Sequence, residues 1–355
     1  MGIKDKRIQW IDCAKAIAII AVLVDHSYNM LYFNDVLQKA SFFSVSTFVI
    51  LSGVATGLTA KFKDRNYTYQ LKKVGKLFGD YAIATGLYLI FAERFFDIKT
   101  YFTYLINFNI KGLFYFLLFF FQLLLISPFL VNCCKFISKS DHVILQVIFI
   151  MFIFVVSILC IKFTQVLPVY GGGKYLFGGT YLFLYYLGLV LGWYHVFDLN
   201  KKNKCIMFLL LGIFWFVWLY LDEHSLFLLD DVLKQFLGNG INPPGIQLII
   251  FSLITVFLLY IVFSLLEEGQ SKVGGIIVKF FSFLGKFTLY IYMYHLLIRD
   301  FIFEKLVGIT DNIWLLRIFV FIPMIIVPVF GVCLIRFTKK VMLIERKSKT
   351  GITAL

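Results

Sequence analysis

Ten stretches of this chain are each close to the roughly 20 apolar residues that a helix needs to cross a bilayer, and their repetition leaves one fold class open. They run over Ile11–Tyr32, Ala40–Ala60, Leu77–Phe95, Leu113–Val131 and Val143–Phe163, then Tyr175–Phe197, Ile206–Leu221, Gly245–Leu266, Ile276–Ile298 and Ile313–Phe337. Only 15% of residues are charged, against about 25% in a soluble domain. A chain of 355 residues this poor in charge cannot clothe a globular surface in water, so lipid is its solvent. The expectation is an all-α polytopic membrane protein of about ten transmembrane helices, a single domain over residues 1–355. Tyr101–Ile110 is too short to span and is expected in the membrane interface.

The placement of charge tests that count. Lys and Arg gather on the cytoplasmic side of membrane proteins. With both termini cytoplasmic, the inner ends carry 22 basic residues and the outer ends 9, which an odd number of helices would scramble. The net charge of +14 therefore describes topology. No soluble domain carries a basic stripe, so nucleic acid is excluded as a partner, and the bilayer itself is the first one. A multi-pass protein of the cell membrane is expected. Lys4-Asp5-Lys6-Arg7 resembles the start of a signal peptide, but Asp12 and Lys15 interrupt the apolar run that follows, which reads as a retained first helix. The six cysteines are scattered without metal-ligand spacing and read as small apolar residues, so no metal site is expected. The longest outer loop, Asp222–Pro244, closes on the turn signal Asn242-Pro243-Pro244-Gly245.

Ionisable groups inside a span are costly and mark function. The first helix carries Asp12, Lys15 and His26. Eleven residues separate Lys15 from His26, close to three helical turns, so they share a face and lie roughly 16 Å apart along the axis. Asp12, one turn before Lys15, can neutralise part of its charge. Imidazole titrates near neutrality and suits His26 to proton transfer. A snorkelling Lys15 and a histidine merely satisfied by a neighbour are the structural alternatives. Asp25 points to another face and does not orient His26.

The run Ile11 to Ile20, continued to His26, resembles the opening of the acyltransferase 3 family: an acidic residue, then Lys or Arg, then ten residues and a histidine. Further segments resemble that family's elements in the same order. They are Phe48–Gly53, Lys72–Leu77 with Tyr81, Leu113–Leu117, Tyr185–Gly192 and Leu284–His295. The resemblance spans roughly residues 7 to 340, and its lysine in the basic slot is similar to the polysaccharide and fucose O-acetyltransferase-like branch. Ala16 stands where the family usually has Gly, Asp25 where Gly precedes the histidine, Phe114 for Trp, and Gly79-Asp80 for Pro.

The resemblance implies a ten-helix membrane enzyme that O-acylates a cell-envelope glycan. Acetyl-CoA or another acyl-CoA serves as cytoplasmic cosubstrate, without a bound cofactor, and a cell-surface polysaccharide or its lipid-linked precursor is the acceptor. On that reading Lys72, Lys73 and Lys76 dock the CoA phosphates as point charges, although any one of them is equally an ordinary inner-loop lysine. His26 takes the acceptor proton or carries the acyl group, and Lys15 holds the donor or stabilises developing charge. Asp12 accompanies Lys15. His295, Arg299 and Glu93 are acceptor-side candidates, with Asp80 another group for a polar cavity; an interfacial His295 is the simpler alternative. Gly53 and Gly57 allow close helix approach. A transporter or flippase of a lipid-linked saccharide would share the helix count without needing the Lys15–His26 spacing. A non-catalytic envelope-assembly partner is the third reading.

Overall fold

The computed structural model describes residues 8–60, 66–140, 143–166, 178–223, 241–269, 271–307, 309–310 and 312–349. Helices account for nearly all of them: α1 Gln9–His26, α2 Asp35–Ser41, α3 Phe43–Ala60, α4 Tyr67–Phe91, α5 Ile98–Asn107, α6 Tyr115–Ser138 and α7 Val143–Val166. They continue as α8 Leu182–Trp193, α9 Lys201–Glu223, α10 Ile246–Glu268, α11 Lys272–Leu284, α12 Thr288–Leu306 and α13 Ile313–Lys349. Each of the ten expected stretches holds helix. Among the described residues, seven spans are long and apolar enough to cross a membrane, or eight if the bent pair α11–α12 counts as one. The protein is an all-α, multi-pass membrane protein.

The two remaining stretches fall short for different reasons. The 18 residues of α1 contain Asp12, Lys15 and Asp25. The 12 residues of α8 follow a 3₁₀ turn, Gly178–Tyr181, and residues 175–177 of the expected sixth span lie outside the described residues. Three boundaries are corrected. The expected ninth span is not one helix, because α11 and α12 meet at 70°. Gly285 sits at that break, where a Cβ would lie 2.0 Å from the Asp12 carbonyl oxygen, so the chain bends against the backbone of α1. The third helix begins ten residues early, at Tyr67, so Lys72, Lys73 and Lys76 lie within it. It also ends before Glu93. Arg94 takes a left-handed φ of 54°, and the Phe95 amide turns back onto Leu89 O at 3.2 Å.

Small residues set the packing at the centre. A Cβ on Gly53 would lie 2.1 Å from Tyr185 O, and one on Gly57 2.1 Å from Leu189 O. Reciprocally, Gly188 and Gly192 sit against the carbonyls of Ile50 and Val54. Two glycines four apart on each of α3 and α8 thus bring the backbones into direct contact, the small-residue interface that replaces the hydrophobic effect in lipid. Buried alanines 14, 16, 18 and 21 give α1 the same closeness to its neighbours. Two polar pairs in the bundle join neighbouring helices. Gln146 Nε2 donates to Tyr186 OH at 2.8 Å, and Trp215 Nε1 to Thr255 Oγ1 at 3.1 Å. In α6, Pro128 removes the amide that would bond Leu124 O, and Ser127 Oγ donates to that carbonyl at 2.8 Å instead.

The short α5 covers the expected interfacial segment, with Ile98, Phe102 and Ile106 exposed along one side. Contacts also sort the basic residues by end of the bundle. Near the start of α1, Lys204 lies over Tyr260, itself packed on Trp10, and Arg336 lies over Phe287 beside the α11–α12 break. Near its finish, Lys111 pairs with Asp300 and Arg299 reaches the His26 carbonyl. Charges expected on opposite sides therefore occupy opposite ends of the bundle.

Candidate functional site

The last turn of α1 leaves four carbonyls without helical partners, and the sequence that follows satisfies each of them. Ser27 Oγ donates to Leu23 O at 2.6 Å, and Tyr32 OH to Val24 O at 2.8 Å. The Tyr28 amide reaches Asp25 O at 3.2 Å. The Arg299 guanidinium donates to His26 O from α12, a cation at the negative end of the helix dipole. Arg299 is held in turn by Asp300 Oδ1, at 2.8 Å from Nε, and Asp300 also pairs with Lys111. His26 therefore projects from a fully tied helix end.

Its ring meets His295. His26 Nδ1 lies 2.7 Å from His295 Nε2, with the two rings parallel within 4°. On the far side, His295 Nδ1 lies 2.7 Å from Tyr292 O and 3.2 Å from Ile291 O. A carbonyl only accepts, so Nδ1 of His295 carries the proton and its Nε2 presents a lone pair. His26 Nδ1 must then donate to it, which leaves the Nε2 of a neutral His26 as a lone pair. Backbone carbonyls of α12 thus fix both tautomers through one chain of hydrogen bonds. The His26 ring borders a cavity of about 30 Å³, shared with Asp25, Ser44, Tyr115, Asn242 and Tyr292. A cavity of roughly 10–15 Å³ already holds a water, so this one admits a single hydroxyl-sized group. Asn242, in the turn expected to close the long outer loop, accepts from Tyr181 OH at 3.0 Å.

Lys15 faces a different space. With Lys73 it borders a cavity of about 240 Å³ between α1, α3, α4, α6 and α12. Ser52, Thr56 and Thr288 add hydroxyls, and Phe48, Phe116 and Phe120 supply the apolar wall. Two cations from α1 and α4 at one cavity suit an anionic or strongly polar ligand, and the aromatic wall suits an apolar stem. Asp12 is buried against Gly285 and borders neither cavity. Lys72 and Lys76 are exposed on α4, so Lys73 alone of that triple reaches the cavity.

His295 is fully buried, at 0% exposure, and so is not the interfacial histidine that its distance from the helix end suggested. It sits beside His26. Arg299 caps α1. Glu93 lies in the exposed turn after α4 and borders neither cavity. Asp80 accepts from Tyr290 OH at 3.1 Å, away from both. Sequence reasoning passed over Tyr292 and Asn242. The spacing of Tyr292, three residues before His295 on one helix, was the available signal.

Against known families, residues 8–335 match the model described as an acyltransferase domain, that of acyltransferase 3. No curated protein and no solved structure matches the chain.

Proposed function

The chain belongs to the acyltransferase 3 family, and on that premise we propose that it moves an acyl group, acetyl in the first instance, from cytoplasmic acyl-CoA to a hydroxyl of an extracytoplasmic cell-surface polysaccharide or its lipid-linked precursor. The observation that carries this reading is the hydrogen-bonded pair His26–His295, which leaves the His26 Nε2 lone pair for a proton beside a hydroxyl-sized cavity.

The acceptor hydroxyl gives its proton to His26 Nε2 as its oxygen bonds the thioester carbonyl carbon. The positive charge that His26 then bears is shared through its Nδ1–H with the His295 lone pair. When the carbon–sulfur bond breaks, the thiolate takes the proton from His26 and leaves as the CoA thiol. General-base assistance of this kind contributes about 10²–10⁴-fold. Lys15 and Lys73 hold the donor's polar portion, and the cavity walled by Phe48, Phe116 and Phe120 receives its thin, largely apolar arm. Lys72 and Lys76, exposed on the same helix, attract the CoA phosphates from solution. Asp12 tunes Lys15 from one turn away.

The test is mass spectrometry of envelope polysaccharide from cells carrying the wild type or His26→Ala, matched for protein in the membrane. The expected result is O-acylation with the wild type and its loss with the variant. Equal acylation in both removes His26 from the chemistry.

A further inference from the structure

Tyr292 stands between the two cavities. Of the residues that border them, it is the one they share. Its side chain is 4% exposed, and its hydroxyl donates to Leu113 O in the 3₁₀ turn before α6. The ring lies 5.0 Å from Phe116, which stacks within 10° on Phe120. On the other side it lies 6.0 Å from the His295 ring, whose Nδ1–H bonds the Tyr292 carbonyl. The ring is thus fixed at its tip, along one face and at its backbone. Space falls from about 240 Å³ on the Lys15 side to about 30 Å³ on the His26 side. The smaller figure is only about twice the roughly 10–15 Å³ that holds one water, and the acceptor hydroxyl needs part of it.

From this arrangement we propose that Tyr292 is the specificity-determining residue that limits the transferred group to a short acyl chain. The inference rests on the donor reading of the Lys15 cavity. A thioester entering from that cavity brings its acyl end against the Tyr292 ring. Two carbons can lie at the ring edge with the carbonyl turned towards His26. A longer chain must either displace a ring anchored to Leu113 O and packed on Phe116, or fold back into space that the pantetheine arm fills. Reducing the ring to a branched aliphatic joins the two spaces and gives the chain somewhere to go.

Isothermal titration of the purified full-length protein with CoA, acetyl-CoA, butyryl-CoA and octanoyl-CoA tests this. The wild type should bind octanoyl-CoA at least ten-fold more weakly than acetyl-CoA. Tyr292→Leu should bring the two within three-fold, through a gain for octanoyl-CoA that exceeds any change for acetyl-CoA. Tyr292→Phe, which keeps the ring, should preserve the wild-type gap and shows that loss of the hydroxyl alone is not the cause. A wild type that binds octanoyl-CoA as well as acetyl-CoA overturns the proposal whether or not the variants fold. So does a Tyr292→Leu protein that retains the full gap. Binding of CoA and acetyl-CoA with no chain-length gap leaves the donor reading standing, whereas a wild type that binds none of the four removes both.

Discussion

Helices α1 and α9 would be ranked in the wrong order by hydropathy alone. Lys201–Asp222 of α9 is long and apolar enough to cross a membrane, yet Lys204 is the one residue of that stretch buried in the bundle. By contrast, α1 carries Asp12, Lys15 and Asp25 in 18 residues, and eleven of its residues are buried. The difference is one of solvent. A helix that faces lipid must be apolar all round, because nothing there partners a charge. A helix packed among others can keep polar groups, provided its neighbours bond them. Here Arg299 and His295 of α12 partner α1, and Gly285 brings the break before α12 onto its backbone. The proposed chemistry resides in the helix that looks least like a span.

The contrast between a packed helix and a lipid-facing one can be broken by making one substitution in α8 and in α9. Gly188→Ala places a methyl 2.2 Å from Ile50 O, whereas nothing lies within 4 Å of a Cβ at Gly212 on α9. Overpacking a close-packed interior costs about 1–3 kcal/mol, and here the opposing atom is backbone, which cannot rotate away. Thermal unfolding in detergent should show Gly188→Ala destabilised by at least that amount. Gly212→Ala should be neutral, or more stable by up to about 1 kcal/mol from helix propensity. Equal effects at both positions would mean that the α3–α8 contact is not the tight one.

A smaller effect separates the lysines. Lys73 borders the larger cavity while Lys72 and Lys76 are exposed on the same helix. Lys73→Gln and Lys15→Met should each weaken CoA binding about ten-fold, equivalent to about 1.4 kcal/mol. Lys15→Arg should recover most of that loss. Lys76→Gln should change affinity by less than three-fold and lower its salt dependence, as expected of a solvated charge. Titration calorimetry at two salt concentrations distinguishes the cases, and equal losses for Lys73→Gln and Lys76→Gln would place both at the ligand. Smallest of all, Phe214→Leu on the lipid-exposed face of α9 should leave stability and binding within error.

Apolar length and the alternation of basic loops made the helical membrane fold legible, and the Lys15–His26 spacing put both residues on one helix face. The closeness allowed by Gly53 and Gly57 of α3 was also readable, because small residues let helices in lipid approach, whereas their partners Gly188 and Gly192 on α8 were not singled out. Two things were not readable. The 70° break before α12 depends on Gly285 meeting Asp12, 273 positions earlier in the chain. Spacing on one helix says nothing of such a contact. The partnership of His26 with His295, 269 residues apart, was hidden for the same reason, which is why His295 looked interfacial. Glu93 was assigned to a helix because its flanking residues are apolar, while the left-handed Arg94 ends α4 first.

The central claim is that His26 and His295 act as one unit, and a double-mutant cycle on acyl transfer tests it most directly. Rates of CoA-thiol release with acetyl-CoA and the native acceptor are compared for His26→Ala, His295→Ala, His295→Gln and the double alanine variant. His26→Ala should lower kcat by about 10²–10⁴-fold, the range for a general base. His295→Ala should lower kcat by a smaller factor with KM for acetyl-CoA unchanged, since His295 does not border the donor cavity. His295→Gln, whose side-chain oxygen can accept from His26 Nδ1–H, should recover part of the rate. The double variant should be no slower than His26→Ala alone, because an orienting partner has nothing to orient once the base is gone. Losses that instead multiply in the double variant would show two independent residues and contradict the account.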